Sequence, residues 1–251
     1  MKYLSSSISN LSFVHTLLSV LTILGFSFFD FTASGFVMIF VGYFLYTGVG
    51  ISMMLHRYWT HKSFEFKYPI VEYICTWFGL MACRGSVLGW VYVHRLHHAF
   101  SDKEKDPHSP IHKGYKVMFT SSIDQTETIQ RSIIRDLMNK RQVNIDKYYM
   151  GLLLLWAIVL LLISPSVFYF FWVVPVTLTK VIWNSFVYAG HVFGYRNHDT
   201  ADESRNSMFY GLLLWGEGYH NNHHNSPMST NMAETKYEFD MMYHVINLVK
   251  K

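Results

Sequence analysis

Residues 35–61 read GFVMIFVGYFLYTGVGISMMLHRYWTH. The run 35–55 is apolar and long enough to cross a hydrocarbon core of about 30 Å, which takes about 20 residues of helix. It ends on His56 and His61. A span that delivers imidazoles to one membrane face sets the frame for the rest of the chain.

Three more stretches have the same character, approximately 11–31, 149–169 and 171–191. The first is preceded by a single Lys2, has no evident cleavage site and runs into a second span, so it reads as a retained helix rather than a signal peptide. Asp30–Ser34 links the first pair, and Ser164–Ser166, with Pro165, breaks the second. Neither link holds Lys or Arg; of the 21 basic residues, only Arg84 and Lys180 fall inside apolar stretches. The positive-inside rule then places both termini and the 92–147 loop in the cytoplasm, and a bacterial inner membrane is the expected location. Residues 69–91 are also apolar but carry Glu72, Arg84 and three glycines. A crossing there would put histidines on opposite sides, so the stretch is expected to be re-entrant or interfacial.

The expected fold is therefore all-α and membrane-embedded: four transmembrane helices in two hairpins under a helical cytoplasmic cap. One domain would cover 1–251, with the cap built from 56–68, 92–148 and 192–251. The 251-residue chain is 51% hydrophobic and 18% aromatic, too apolar for an ordinary soluble domain. A charge of +4 is mild, and no basic–aromatic pattern suggests nucleic acid. Cys75 and Cys83 form no CxxC pair, so packed, reduced thiols are expected. The C-terminal stretch from Phe239 to Val249 reads as an amphipathic helix, on the membrane surface or packed on the cap.

Histidine is the anomaly, with 14 in the chain. Besides His56 and His61 there are His94-Arg-Leu-His97-His98 and His220-Asn-Asn-His223-His224, while His191 stands alone at the end of the last apolar stretch. In HxxHH the first ring reaches its i+3 and i+4 neighbours on one helical face, so three imidazoles should point into one volume. An i, i+5 pair lies about 140° apart on an α-helix. His56 and His61 can converge only if the helix bends or unwinds, unless they serve different metals. Nine imidazoles on one side would repel when protonated, and metal binding to the neutral rings removes that conflict. One zinc needs about four ligands, so nine candidates suggest two ions. No cysteine lies within the histidine motifs, which argues against a thiolate copper(I) site. An oxidant at a membrane surface points to a lipid substrate.

These motifs, in this order, resemble the membrane fatty acid desaturase family, in its stearoyl or acyl-CoA desaturase-like branch and its short bacterial forms. The likeness spans roughly 35–245. It rests on HRYWTH, on Trp90-Val-Tyr-Val-His94-Arg-Leu-His97-His98 with Asp106-Pro-His108-Ser-Pro110, on Gly216-Glu217-Gly218-Tyr219-His220-Asn-Asn-His223-His224, and on His191-Val-Phe-Gly-Tyr-Arg. The resemblance implies that His56, His61, His94, His97, His98, His191, His220, His223 and His224 bind two irons (Fe2+). It also implies a bent acyl tunnel opening toward the cytoplasm. Animal members carry an asparagine four residues before the isolated histidine, where it holds a metal-bound water; here that position is Val187 and the nearest asparagine is Asn184. Their Arg-Asp pair facing coenzyme A is replaced by Tyr92-Val93. That weakens the case for acyl-CoA and leaves acyl-lipid and acyl-ACP open.

The implied activity is O2-dependent desaturation, an oxidoreductase reaction that places a cis double bond in a long acyl chain, with delta-9 as the candidate position. An unactivated methylene needs an oxidant that neither a His base nor a Ser nucleophile supplies. The chain has no flavin, dinucleotide or haem motif, so electrons must come from a partner such as ferredoxin or cytochrome b5. Glu217, Asp106, Asp102, Asn221 and Asn184 are candidates to orient the ligands. Lys180, Trp183 and Trp90 are candidates for the tunnel wall. His108 reads as packing in its turn, and His15, His112, His198 and His244 as bystanders. The same metal core could instead serve a hydroxylase or acetylenase. A membrane metal transporter or sensor is the non-enzymatic alternative, disfavoured because the ligands cluster at one end of the spans.

Overall fold

The computed structural model describes residues 11–119 and 130–251, and the chain they form is helical. Lys2, the N-terminus and residues 120–129 of the expected cap lie outside the described residues. Isolated bridges such as Phe66–Lys250 and Tyr195–Asn206 are the extent of β pairing among the described residues.

Helix α1 is Leu11–Gly25 and α2 is Ala33–Thr60. Next come α3 (Pro69–Met81) and α4 (Val87–Phe100), then α5 (Lys140–Ile163) and α6 (Pro165–Val192). The last three are short: α7 (Met208–Leu213), α8 (His220–Asn225) and α9 (Met241–Val249). Three of these, α2, α5 and α6, are long and apolar enough to cross a membrane. The helix boundaries differ from the expected spans: α2 runs on to Thr60, and α5 begins at Lys140 rather than 149 and ends at Ile163 rather than 169. Helix α1 stops at Gly25 rather than 31, where the Phe29 amide folds back onto the Gly25 carbonyl at 2.9 Å. At 15 residues it is shorter than the usual span. The break in the second pair falls at the expected Ser164–Ser166 link, where the Ser164 side chain caps the Ser166 amide at 3.1 Å. Pro165 suits a first helical position and cannot continue α5, so residues 165–169 belong to α6.

Close approach between helices depends on small residues. A Cβ on Gly42 of α2 would sit 2.3 Å from the Phe171 carbonyl oxygen of α6. Hydroxyl pairs also join helices to α6: Thr47 of α2 to Thr179 at 2.6 Å, and Thr22 of α1 to Thr177 at 2.9 Å. Such pairs satisfy polar groups where water is scarce.

The apolar stretch 69–91 is two helices, not one. α3 ends at Met81, and the chain turns through Cys83 and Gly85, both at positive φ. Ser86 then caps α4, accepting from the Gly89 amide at 3.1 Å. Glu72, which interrupts the apolar pattern, pairs with Arg141 of α5 at 2.9 Å. Arg84 occupies the turn itself. Both cysteines are free thiols, and Cys83 is buried. Met242 and Ile246 of α9 are buried against Met53, Met54 and Phe64, while Leu248 on its other face is exposed.

Candidate metal centre

The lower half of α2, from Phe44 to Thr60, is wound as a π-helix. Its i→i+5 bonding continues at the end, where the His61 amide donates to the His56 carbonyl at 3.2 Å. This winding answers the spacing problem posed by HRYWTH. The His56 and His61 rings come to 4.9 Å between centroids and join one group.

The nine imidazoles form two groups. His56, His61, His94, His98 and His223 make the first; His97, His191, His220 and His224 make the second. In the first, Nε2–Nε2 separations are 2.9 Å for His56–His223, 3.0 Å for His223–His98, 3.0 Å for His98–His94 and 3.1 Å for His94–His61. In the second, His191–His220 is 3.0 Å and His97–His224 is 3.3 Å. The expectation that each HxxHH aims three rings at one volume is corrected here. Adjacent positions such as 97 and 98 lie about 100° apart on a helix. His94 and His98 therefore face the first group while His97 faces the second. On α8 the division is His223 against His220 and His224.

Four carboxylates hold the outer nitrogens. Glu217 lies 2.5 Å from His56 Nδ1, Asp106 2.9 Å from His97 Nδ1, Asp102 2.8 Å from His191 Nδ1 and Asp202 2.5 Å from His224 Nδ1. Each favours the tautomer with hydrogen on Nδ1, leaving the Nε2 lone pair turned inward. Glu217 also accepts from Ser52 Oγ at 2.6 Å and lies 3.4 Å from Arg57, which is buried and paired with Asp240 at 2.9 Å.

Burial, reinforced by the charge of neighbouring rings, pushes His94, His98, His220 and His223 well below the usual imidazole range. His61 is lowered to about 2 for the same reasons. His224 is lowered to about 4, burial outweighing the hydrogen bond it donates to Asp202. Burial alone would raise the Asp106 and Asp202 carboxyls, but hydrogen bonds and charge from His97 and His224 hold them well below their ordinary range.

The residues fit metal ions. His97 and His224, both held through Nδ1, set lone pair against lone pair at 3.3 Å, which repels unless a cation lies between them. A first-row ion binds imidazole nitrogen at about 2.1 Å, which places right-angle neighbours about 3.0 Å apart. Most of the separations above match that spacing. The first group would offer a metal ion five imidazole nitrogens and the second four.

A cavity of about 240 Å³ reaches both groups, touching His56 and His94 of one and His97, His191 and His220 of the other. Trp90, Trp183 and Lys180 line it. Trp90 stacks on His94 at 4.8 Å. Val187, where animal desaturases have asparagine, also faces the cavity.

Two expected helpers act elsewhere. Asn184 accepts from Arg84 at 2.9 Å and donates to the Met118 carbonyl at 2.9 Å, so both ends of its amide are engaged away from the imidazoles. Asn221 accepts from the Asn197 and His198 amides at 2.9 and 2.8 Å. It pins the loop that carries Asp202 and touches no ring nitrogen itself. Asp202 was not legible as a partner of His224. The polar cluster Asp199-Thr-Ala-Asp202-Glu-Ser204, shortly after His191, was the available signal. His15, expected to be a bystander, lines the cavity with its Nε2 on the Cys83 carbonyl at 2.7 Å. His108 stacks on His97 at 4.5 Å, consistent with packing in its turn.

Helices of membrane length around a buried double cluster of imidazoles, open to a cavity, define a membrane oxidoreductase of the histidine-box kind. The chain belongs to the fatty acid desaturase family, which it matches over residues 31–237. It is 30% identical to the sn-1 stearoyl-lipid 9-desaturase of Anabaena variabilis, over 88% of this chain and 85% of that protein. It is 32% identical to the sn-1 stearoyl-lipid 9-desaturase of Synechocystis sp., over 94% of this chain and 76% of that protein. An icosanoyl-CoA 5-desaturase of Limnanthes douglasii is 32% identical, over 80% of this chain and 58% of that protein.

Proposed function

We propose that the protein is an acyl-lipid desaturase that places a cis double bond, with delta-9 as the candidate position, in a long acyl chain. The observation that carries this reading is the shared cavity wall: both imidazole groups face one space lined by Trp90, Trp183 and Phe186. The first group would hold one iron and the second another. Bound there, iron and O2 would supply the oxidant that removes two hydrogens from adjacent methylenes, with O2 leaving as water and two electrons drawn from a donor such as ferredoxin or cytochrome b5.

The chain's own residues do the rest. The four carboxylates keep the His56, His97, His191 and His224 rings in one tautomer and orientation, which reduces the reorganisation needed when metal binds. The aromatic wall excludes water and seats the chain. Apolar walls cannot grip one methylene by hydrogen bonds, so cavity depth sets the position of the double bond. On this reading the four apolar segments cross the membrane, with the histidines and both termini on the cytoplasmic side. The lipid-linked substrates named for the cyanobacterial relatives favour a glycerolipid carrier over acyl-CoA or acyl-ACP. Tyr92 and Val93 in place of an Arg-Asp pair point the same way.

The test is a fatty-acid profile, by gas chromatography with mass spectrometry, of a bacterial host expressing the chain beside a His97→Ala control at equal expression. A new double bond absent from the control is the expected result. A hydroxylated chain would move the protein to the hydroxylase reading. No product, with iron loaded and an electron donor supplied, would sink the acyl-lipid assignment.

A further inference from the structure

The cavity wall carries two cations that the metal centre does not use. Arg84, in the turn between α3 and α4, and Lys180, on α6, both face the space that reaches the histidines. Arg84 donates through Nη1 to Asn184 Oδ1 at 2.9 Å, and Asn184 is itself fixed by the Met118 carbonyl. That anchoring aims a guanidinium at the cavity and holds it there. Neither cation forms an ion pair with a carboxylate among the described residues. The acidic group on the same wall, Glu217, is already engaged by His56, Ser52 and Arg57.

Two cations beside one cavity with no counter-charge among the described residues repel each other and lose hydration, an arrangement that suits a bound anion. Position says which kind. Helix α6 is about 42 Å long, against a hydrocarbon core of about 30 Å. Lys180 lies about 22 Å along the axis from Pro165, within a side chain's reach of the level where lipid headgroups sit. His191 lies about 16 Å further on. The wall therefore runs from a cationic end near the membrane surface to the imidazoles at the other. An acyl chain bound along it would place its carrier at the cations and its middle at the histidines.

We propose that Arg84 and Lys180 form an anion site that holds a phosphate on the carrier of the acyl chain. This rests on the desaturase reading above. An acyl chain linked to its carrier has no free carboxylate, so the anion has to come from the carrier. A forked guanidinium beside an ammonium suits phosphate oxygens. A phospholipid and an acyl thioester of coenzyme A both offer that group, and a neutral glycerolipid does not.

The experiment is native mass spectrometry of the purified, metal-loaded protein offered equal amounts of distearoyl phosphatidylglycerol, stearoyl-CoA and distearoylglycerol. Retention of one phosphate-bearing species about tenfold above distearoylglycerol is expected, the scale of one charge-assisted hydrogen bond. The species retained names the source. Lys180→Met and Arg84→Gln should each abolish most of that preference, and Arg84→Lys should restore part of it. Thermal melts and metal content confirm that each variant is folded; if Arg84→Gln is not, Lys180→Met carries the test. Equal retention of all three, or a preference unchanged in the variants, overturns the site. Turnover recorded in parallel separates the two claims. Desaturation without a phosphate preference removes the anion site and leaves the desaturase reading. A preference that depends on both cations, with no desaturation of any chain, does the reverse.

Discussion

Asp102 accepts a hydrogen bond from His191 Nδ1 at 2.8 Å, joining the polar turn after α4 to the end of α6 across 89 residues of sequence. The same carboxylate oxygen accepts from the Glu203 amide at 2.8 Å, so one side chain sets both a ring and the loop beside it. Asp102 has positive φ, a conformation that asparagine tolerates. Asp102→Asn should therefore keep the backbone while weakening the acceptor. Metal affinity is expected to fall about tenfold or more. Metal per chain, measured by plasma mass spectrometry after dialysis against a graded chelator, checks this; wild-type retention would refute it.

The division of the third motif between two groups makes a sharper prediction. His223→Ala removes a ligand from the five-membered group, and His224→Ala one from the four-membered group. On the two-iron reading proposed above, each variant is expected to hold about one iron against two in the parent, and the two should differ in Mössbauer spectrum because a different group keeps its iron. Identical spectra would mean that adjacent rings serve one ion.

Acid should loosen the metal-free protein. His94, His98, His220 and His223 have folded-state values well below the usual range, chiefly because they are buried. Unfolded imidazoles take up protons near pH 6.5, so below that pH the unfolded chain binds protons that the folded one refuses. Their contribution to stability is present above about pH 6.5 and is lost as pH falls. The loss is about 1.4 kcal/mol per imidazole per pH unit. Thermal melts of metal-free protein at pH 7.5 and 5.5 test the sign, with the lower melting temperature expected at pH 5.5.

Gly42 tests the helix packing that positions the site. An added Cβ would meet the Phe171 carbonyl oxygen at 2.3 Å and Pro175 Cγ at 2.8 Å. A backbone oxygen cannot swing aside, so α2 and α6 must part. Gly42→Ala should cost about 1–3 kcal/mol, the usual range for overpacking. The melting temperature in detergent reads it, and no change would show that the two helices separate freely there.

Much of the protein was legible in its residues. Apolar runs of membrane length, the three histidine motifs and His191 identified the family and the nine imidazoles that the fold gathers into two groups, because hydrophobic length and imidazole spacing are local properties. The carboxylates at Glu217, Asp106 and Asp102 were also in view, each near a motif. Other features depended on contacts between distant segments. The π winding of α2, which brings His61 onto His56, follows from packing that no i, i+5 pattern specifies. Which ring serves which group depends on where α2, α4, α6 and α8 meet. Asp202 reaches His224 only because Asn221 pins the intervening loop. Asn184 was expected near the metals and instead holds Arg84, because the turn after α3 brings a guanidinium to it from 100 residues away. Spacing along a chain determines which chemistry is present; the placement of one helix against another decides which atoms meet, since ligand bonds and hydrogen bonds act over only a few ångströms.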